Sequence, residues 1–245
     1  MGSRRLPGKS LADLCGQPLL VRVIQRVRVA SRLGGLVIAT TNQEADNPIA
    51  KLSGELQVPV FRGSENDVLD RFYRCAKEQQ ASVIVRLTGD NPFVDPQIVD
   101  RVIGALVKDG ADYASNTIRP TFPEGLNVEV LTFAALQRAW QDAQAGYERE
   151  HVTPHIWLHP ERFRLQRVEA ERDLSHVRLT VDTLEDLTFA RAVYERLYRP
   201  DRLFLMNDIL ALLEREPELQ AVNANVERFS SHKKVLEQAR HETHR

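Results

Sequence analysis

The chain reads as an α/β protein built on a mostly parallel sheet with helices on both faces. Three observations carry that reading. Continuously apolar, β-branched runs recur, as in Leu36-Val37-Ile38-Ala39-Thr40 and Ser82-Val83-Ile84-Val85-Arg86-Leu87. Runs without polar alternation belong to strands buried on both faces. Amphipathic helical patterns separate them, which is the arrangement that returns successive strands in parallel. The length of 245 residues suffices for one such domain with its own core.

The elements follow in order. The first helical pattern places Leu19, Leu20, Val23, Ile24 and Val27 on one face and leaves Arg22, Arg26 and Arg28 mostly off it. A strand over 36–40 and a second over 58–61 come next. Val68, Leu69, Phe72 and Ala76 form another helical face, the strand 82–87 follows it, and Ile98, Val102, Ile103 and Leu106 form a third. Over 122–168 the pattern leaves the sheet. A strand-like run at 127–131, a helix at 133–143, a second helix through 151–158 and a strand-like run at 163–168 predict an inserted arm for substrate or a second copy of the chain. The sheet pattern resumes at Val177-Arg178-Leu179-Thr180-Val181, with a helix after Asp182. Residues 1–226 are expected to form the domain. The stretch 227–245 is rich in His, Lys and Glu and predicts a polar surface helix or tail.

Composition excludes several classes. Lys and Arg number 33 against 34 Asp and Glu, a net charge of -1, so nothing global draws the chain to nucleic acid or an acidic membrane. Cys15 and Cys75 are far apart and make neither a disulfide framework nor a zinc spacing, which predicts a reducing, cytoplasmic setting. No apolar run approaches the ~18 residues of a membrane span, and the basic start lacks the apolar core of a signal peptide.

Ligands of open parallel sheets bind beyond the carboxyl ends of the strands, so those ends are where chemistry is sought. Arg86-Leu87-Thr88-Gly89-Asp90-Asn91-Pro92 leaves Asp90 at one strand tip, with Gly89 allowing close backbone approach. Leu179-Thr180-Val181-Asp182-Thr183-Leu184-Glu185-Asp186 leaves Asp182 at another. Two carboxylates on separate tips can converge on one Mg²⁺. Asp182 as a helix N-cap, or Thr183 as the cap with Asp186 three residues on, is the competing reading. The chain opens on a basic, glycine-containing loop, Gly2-Ser3-Arg4-Arg5-Leu6-Pro7-Gly8-Lys9-Ser10. Its spacing is one residue too long for a Walker A loop, and Gly16 and Pro18 deny it the helix that motif requires. Pro7-Gly8 is specific turn chemistry rather than generic tail. His151, His155 and His159 recur every fourth residue, a spacing that could hold zinc on a helix face, but Pro154 interrupts the helix and no further ligand stands nearby in sequence. Trp140 and Trp157 read as core or interface anchors.

Ser3-Arg4-Arg5-Leu6-Pro7-Gly8-Lys9 resembles the S-x-R-L-P-G-K loop of the sugar-acid cytidylyltransferases, the acylneuraminate and Kdo type, and within them the spore-coat polysaccharide branch. Five further stretches resemble that branch in order: 60–69, 86–90, Ala111-Asp112-Tyr113-Ala114-Ser115-Asn116, Tyr147-Glu148-Arg149-Glu150-His151-Val152-Thr153-Pro154, and 178–183. The resemblance implies a Rossmann-like nucleotide-diphospho-sugar transferase sheet. It also implies transfer of CMP from CTP to a sugar acid for a surface glycan, with Mg²⁺ as cofactor and a homodimer as the assembly. It implies Lys9 and Arg5 on the phosphates, Ser3, Gly8, Arg62, Ser64 and Gly89 on the nucleotide, Asp90 and Asp182 on the metal, and Glu129, Arg149 and His151 toward the sugar or the partner subunit. The family's loop follows a first strand ending in Ala-Arg, and this sequence opens inside the motif. The expectation is therefore a sheet lacking its first strand, from a start assigned at an internal Met, or else a non-catalytic paralogue that binds a nucleotide sugar or partner. A glycosyltransferase of related fold would call for an Asp-x-Asp metal motif, where this chain offers Gly89-Asp90-Asn91.

Overall fold

The structure is a computed structural model that describes residues 1–3 and 5–243. Arg4 of the loop motif and His244 and Arg245 of the expected tail lie outside the described residues. A single 3-10 turn, Lys9–Leu11, precedes α1 (Leu19–Val27), β1 (Ile38–Thr41), α2 (Asn47–Glu55), β2 (Val60–Gly63) and α3 (Val68–Glu78). Next come β3 (Val83–Arg86), α4 (Pro96–Asp109), β4 (Tyr113–Ser115) and β5 (Glu129–Thr132). Three helices, α5 (Phe133–Asp142), α6 (Gly146–His151) and α7 (Pro154–Trp157), lead to β6 (Leu165–Arg167). The chain ends with α8 (Leu184–Leu197), α9 (Met206–Arg215) and α10 (Ser230–Thr243).

The strands form two sheets. β1 and β2 pair in parallel, with Ile38 opposite Val60 and Thr41 opposite Gly63. The other sheet runs in the order β3-β5-β4-β6, with β3, β4 and β6 in one direction and β5 against them. Both sheets lie between the same two helices. Leu20 and Ile24 of α1 pack with Ile38, while Leu19, Val23 and Val27 of α1 join the cluster that takes in Val85. On the opposite side, Leu69, Tyr73 and Ala76 of α3 pack with Ile84, and α3 also touches β1 and β2. Yet no ladder joins β1 to β3 among the described residues. Ile38 N–H donates to Pro59 O at 2.9 Å, so by alternation Ala39 N–H points to the other edge of β1. Phe133 N–H donates to Ser82 O at 2.9 Å, which turns the N–H groups of Val83 and Val85 to the free edge of β3. β1 and β3 thus each present an unpaired edge among the described residues.

Local chemistry explains the element ends. α4 begins at Asp95, whose carboxylate accepts from Gln97 N–H, and stops at Gly110 with φ of 57°. α8 begins with a capping box, Thr183 accepting from Asp186 N–H and the Asp186 carboxylate accepting in return.

Five expectations change in detail. Arg22 and Arg26 are buried rather than on the exposed side of α1, because their guanidinium groups donate to loop carbonyls: Arg22 to Leu14 O at 3.0 Å, Arg26 to Val94 O and Phe204 O at 2.7 Å each. The strand expected at 177–181 is extended but makes only an isolated bridge, Glu124 to Arg178. β4 carried no strand expectation and lies inside the sheet. The arm is narrower than 122–168, since β5 and β6 belong to the sheet and only α5–α7 leave it to form a second core with α3. The polar end forms α10, docked through buried Val235 and through His232, stacked on Trp157 at 5.1 Å. Among the described residues no helix is long and apolar enough to cross a membrane.

Candidate active site

Two chain segments meet beyond the carboxyl end of β3. One continues β3 through Thr88 to Asp90, and the other is the extended run from Arg178 to Asp182. Val181 N–H donates to Asp90 O at 2.9 Å and locks them side by side. Between their tips lies Lys9, delivered by a tight turn in which Gly8 has φ of 74°, a conformation that favours glycine. Lys9 Nζ is 2.8 Å from Asp90 Oδ2, 2.8 Å from Asp182 Oδ1 and 2.9 Å from Val181 O. Arg5 Nη2 lies 3.1 Å from Asp182 Oδ2. Four residues proposed for phosphate and metal from the sequence are thus brought to one point.

Each carboxylate is held from behind. The Thr88 hydroxyl donates to Asp90 Oδ1 at 2.6 Å, and Asn91 Nδ2 donates to Thr88 Oγ1 at 2.9 Å. Arg178, buried, donates through Nη2 to Asp182 Oδ2 at 2.9 Å, through Nε to Asp186 Oδ1 at 2.8 Å and through Nη1 to Glu124 Oε2 at 2.7 Å. Asp186 also accepts from Asp182 N–H at 2.9 Å and Asn223 Nδ2 at 3.1 Å. The C-terminal segment joins this clamp: Phe229 N–H donates to Glu124 Oε1 at 2.9 Å and Arg178 Nη1 reaches Glu227 O at 3.3 Å. Asp182 therefore keeps Oδ1 toward the site while Oδ2 is held. The competing reading of this stretch also holds, because Thr183 with Asp186 caps α8.

The electrostatics follow from these contacts. Burial pushes the Asp182 carboxyl upward, and Lys9, Arg5 and Arg178 reverse that and leave it below the usual carboxylate range. Burial works against the Lys9 charge, but Asp90 and Asp182 together hold its pKa above the ordinary value. Burial lowers the His151 pKa below the ordinary imidazole value, which keeps it neutral near pH 7.

A second polar cluster surrounds Glu129. Its carboxylate accepts from Tyr113 Oη at 2.7 Å, from Thr153 Oγ1 at 2.5 Å and from Arg86 Nη1. Arg86 Nε is buried with no hydrogen-bond partner, as is Arg71 Nε on α3. A buried unsatisfied donor is costly unless something else binds there, so both arginines are candidates for substrate contact. The sequence signal for Arg86 was a charged residue closing an apolar strand; Arg178 gave none beyond its motif, and Arg71, outside the motifs, gave none.

The remaining expected residues sit elsewhere. Arg62 spends all three guanidinium nitrogens on the connection from β1 to α2, donating to Thr41 O, Gln43 O and Asn47 Oδ1. Ser64 Oγ accepts from Asp67 N–H and opens α3. Arg62 and Ser64 line a cleft of 670 Å³ with Tyr73 and Trp140 that shares no residue with the Lys9 cluster. Arg149 grips the Asp67 carboxylate, with Nη2 at 2.5 Å from Oδ2, and Trp140 O, so it braces α6 against α3. Ser3 Oγ accepts from Leu6 N–H at 3.3 Å and shapes the loop. A Cβ at Gly89 would make only ordinary contact with Leu20 at 3.5 Å. Glu148, His155 and His159 place ligand atoms within 4.8 Å of one another. However, His155 already shares Nδ1 with Glu148 at 2.8 Å and faces Arg162 with Nε2 at 3.4 Å, so this trio reads as a satisfied network beside a cation.

Comparison with known proteins identifies the family. The family described as Cytidylyltransferase matches residues 1–233. The chain is 38% identical over 227 residues to "Spore coat polysaccharide biosynthesis protein SpsF" of Bacillus subtilis, covering 89% of this chain and 92% of that protein. Among solved structures, a cytidylyltransferase from Leptospira borgpetersenii serovar Hardjo-bovis superposes with a TM-score of 0.85 at 29% identity, over 90% of this chain and 92% of that one. CMP:2-keto-3-deoxy-manno-octonic acid synthetase complexed with CTP shares the fold, with a TM-score of 0.61 at 17% identity over 80% of this chain and 95% of that one. A match over nearly the whole length, with the basic loop and paired strand-tip carboxylates brought together, places the chain in the cytidylyltransferase family.

Proposed function

We propose that this cytidylyltransferase moves CMP from CTP to a sugar acid and releases pyrophosphate. The observation that carries the reading is the convergence of Lys9, Arg5, Asp90 and Asp182 on one point beyond the strand ends. A sugar hydroxyl oxygen forms the new bond to the α-phosphorus and loses its proton to solvent. The bond from that phosphorus to the bridging oxygen breaks, and pyrophosphate leaves with the electron pair. Such a transfer asks the protein mainly for position and charge. Lys9 and Arg5 supply the positive charge that triphosphate oxygens need, and the Gly8 turn lets the backbone come close to them.

Asp90, Asp182 and Val181 O form an all-oxygen donor set, which fits Mg²⁺. When bound, that ion neutralises phosphate charge and makes an attached hydroxyl more acidic. Arg178 aims Asp182 by holding Oδ2. On the acceptor side, Arg86 offers its unpartnered Nε and Tyr113, Thr153 and Glu129 fix its orientation, an arrangement suited to a carboxylate-bearing sugar. The α5–α7 arm is part of the same proposal as the face of a homodimer.

Pyrophosphate release tests the reading, with CTP, UTP, ATP and GTP against a panel of ulosonic and nonulosonic acids in the presence of Mg²⁺. The expected result is CTP-specific release, reduced by at least about 100-fold in Asp90→Ala and Asp182→Ala. Folded wild-type protein that binds CTP but releases nothing with any acid favours the non-catalytic alternative.

A further inference from the structure

One cation already sits between the two carboxylates. The three oxygens within 2.9 Å of Lys9 Nζ come from two strand tips, and two of them carry the charge of Asp90 and Asp182. They are the same atoms a hard divalent ion would take. Magnesium binds oxygen at about 2.1 Å, so the ion and the ammonium cannot share this cradle. The Lys9 side chain is only 13% exposed, so the ammonium fills the cradle rather than lying across its mouth. Arg5 and Arg178 add two more positive charges on the far oxygen of Asp182, which makes the seat still less inviting to a free metal ion. Lysine is suited to leaving: its flexible stem carries rotatable donors and no fixed fork. The turn that delivers it needs no rearrangement, because Lys9 N–H is already pinned to Leu6 O at 3.2 Å and the side chain alone can swing.

We propose that Lys9 is the resident cation of the metal seat and gives it up only when a triphosphate draws the ammonium onto its own oxygens. Nucleotide-free protein closes the seat with its own side chain. Metal and nucleotide then bind as a unit, and Lys9 serves the carboxylates before loading and the phosphates after it. The identity of the triphosphate rests on the function proposed above; the occupied seat does not.

The test is a Mn²⁺ titration followed by loss of the free-ion EPR signal, first without nucleotide. Lys9→Met keeps the stem and removes the charge, and Lys9→Gln provides a second variant if the first folds poorly by circular dichroism. Wild type is expected to take up Mn²⁺ weakly and both variants roughly tenfold more tightly or better. In thermal melts the variants start lower, with two carboxylates left unpaired, and recover on adding Mn²⁺, while wild type hardly moves. Folded variants that bind Mn²⁺ no more tightly than wild type overturn the proposal.

CTP is then added, with protein-free Mn²⁺–CTP as the reference. Wild-type uptake is expected to rise by roughly tenfold or more, and that of Lys9→Met by much less. A wild type whose metal affinity is unchanged by CTP, UTP, ATP and GTP alike also overturns the exchange. If a purine nucleotide rather than CTP produces the rise, the exchange stands and the cytidylyl reading fails.

Discussion

At the scale of single residues, the site is a matter of which charge faces which. Arg178 is surrounded by Asp182, Asp186 and Glu124, and its removal leaves buried carboxylates without their counter-charge. Arg178→Met is expected to cost about 3–5 kcal/mol of stability and to shift the response to mild acid toward stabilisation. In wild type, Asp182 and Asp186 lie below the usual carboxylate range, since their partners outweigh the upward push of burial. Their contribution is present above the unfolded value and is lost as pH falls through the depressed folded values. Without Arg178, Asp186 and Glu124 lose their principal counter-charge and rise, so their protonation favours the folded state, while Lys9 and Arg5 still hold Asp182 down. Melting temperatures at pH 7.5 and 5 check this: acidification helps the variant more than wild type, in which burial already raises Glu124 but Asp182 and Asp186 stay low. Asp90 and Asp182 were legible in sequence by their strand-end positions, and Lys9 and Arg5 by the resemblance of the opening loop. Arg62 and Arg149 were not, because an arginine's partners are set by whichever carbonyls and carboxylates the tertiary structure brings within reach. Arg178 was hidden for the same reason, and Arg22 and Arg26 defeated the amphipathic pattern by burying charge against loop carbonyls.

Helices and strands were read best where a pattern is long. The cores of α1, α3, α4 and α5 follow from apolar periodicity, and β1, β2 and β3 from apolar runs. β4, at three residues, is too short to stand out. The run at 177–181 has a strand's composition but crosses the segment around Glu124 at a single bridge, so apolar β-branched residues here mark burial rather than a ladder. That crossing depends on Gly125. Its φ is 103°, and a Cβ would lie 2.4 Å from Thr180 N and 2.5 Å from the Leu179 carbonyl carbon. Contact with backbone leaves nothing flexible to move. Gly125→Ala is expected to push the Arg178–Asp182 segment away from Asp90, lowering both the melting temperature and Mn²⁺–CTP affinity. A variant with wild-type melting and wild-type affinity would show that the crossing has slack.

On the scale of the whole molecule, the described strands fall into two sheets, and β1 and β3 each keep an unpaired edge. The composition gives no hint of this. Open edges have a measurable signature in hydrogen exchange. Within β3, Ile84 N–H faces β5 and is expected to be well protected, while Val83 and Val85 N–H face the free edge and exchange faster. Extending the chain ahead of Met1 by a short β-branched strand is expected to slow Val83, Val85 and Ala39 together and to raise the melting temperature. Unchanged exchange would mean that the gap between α1 and α3 does not accept a strand. At the other end of the chain, residues 223–229 reach the Arg178 clamp, and two of their contacts, from Glu227 O and Phe229 N–H, are made by backbone. Side-chain identity at those two positions is therefore nearly free to drift, whereas their presence is not. Point substitutions at Glu227 and Phe229 alone would score them as dispensable, whereas a stop codon ahead of them would remove two contacts of the Arg178 clamp.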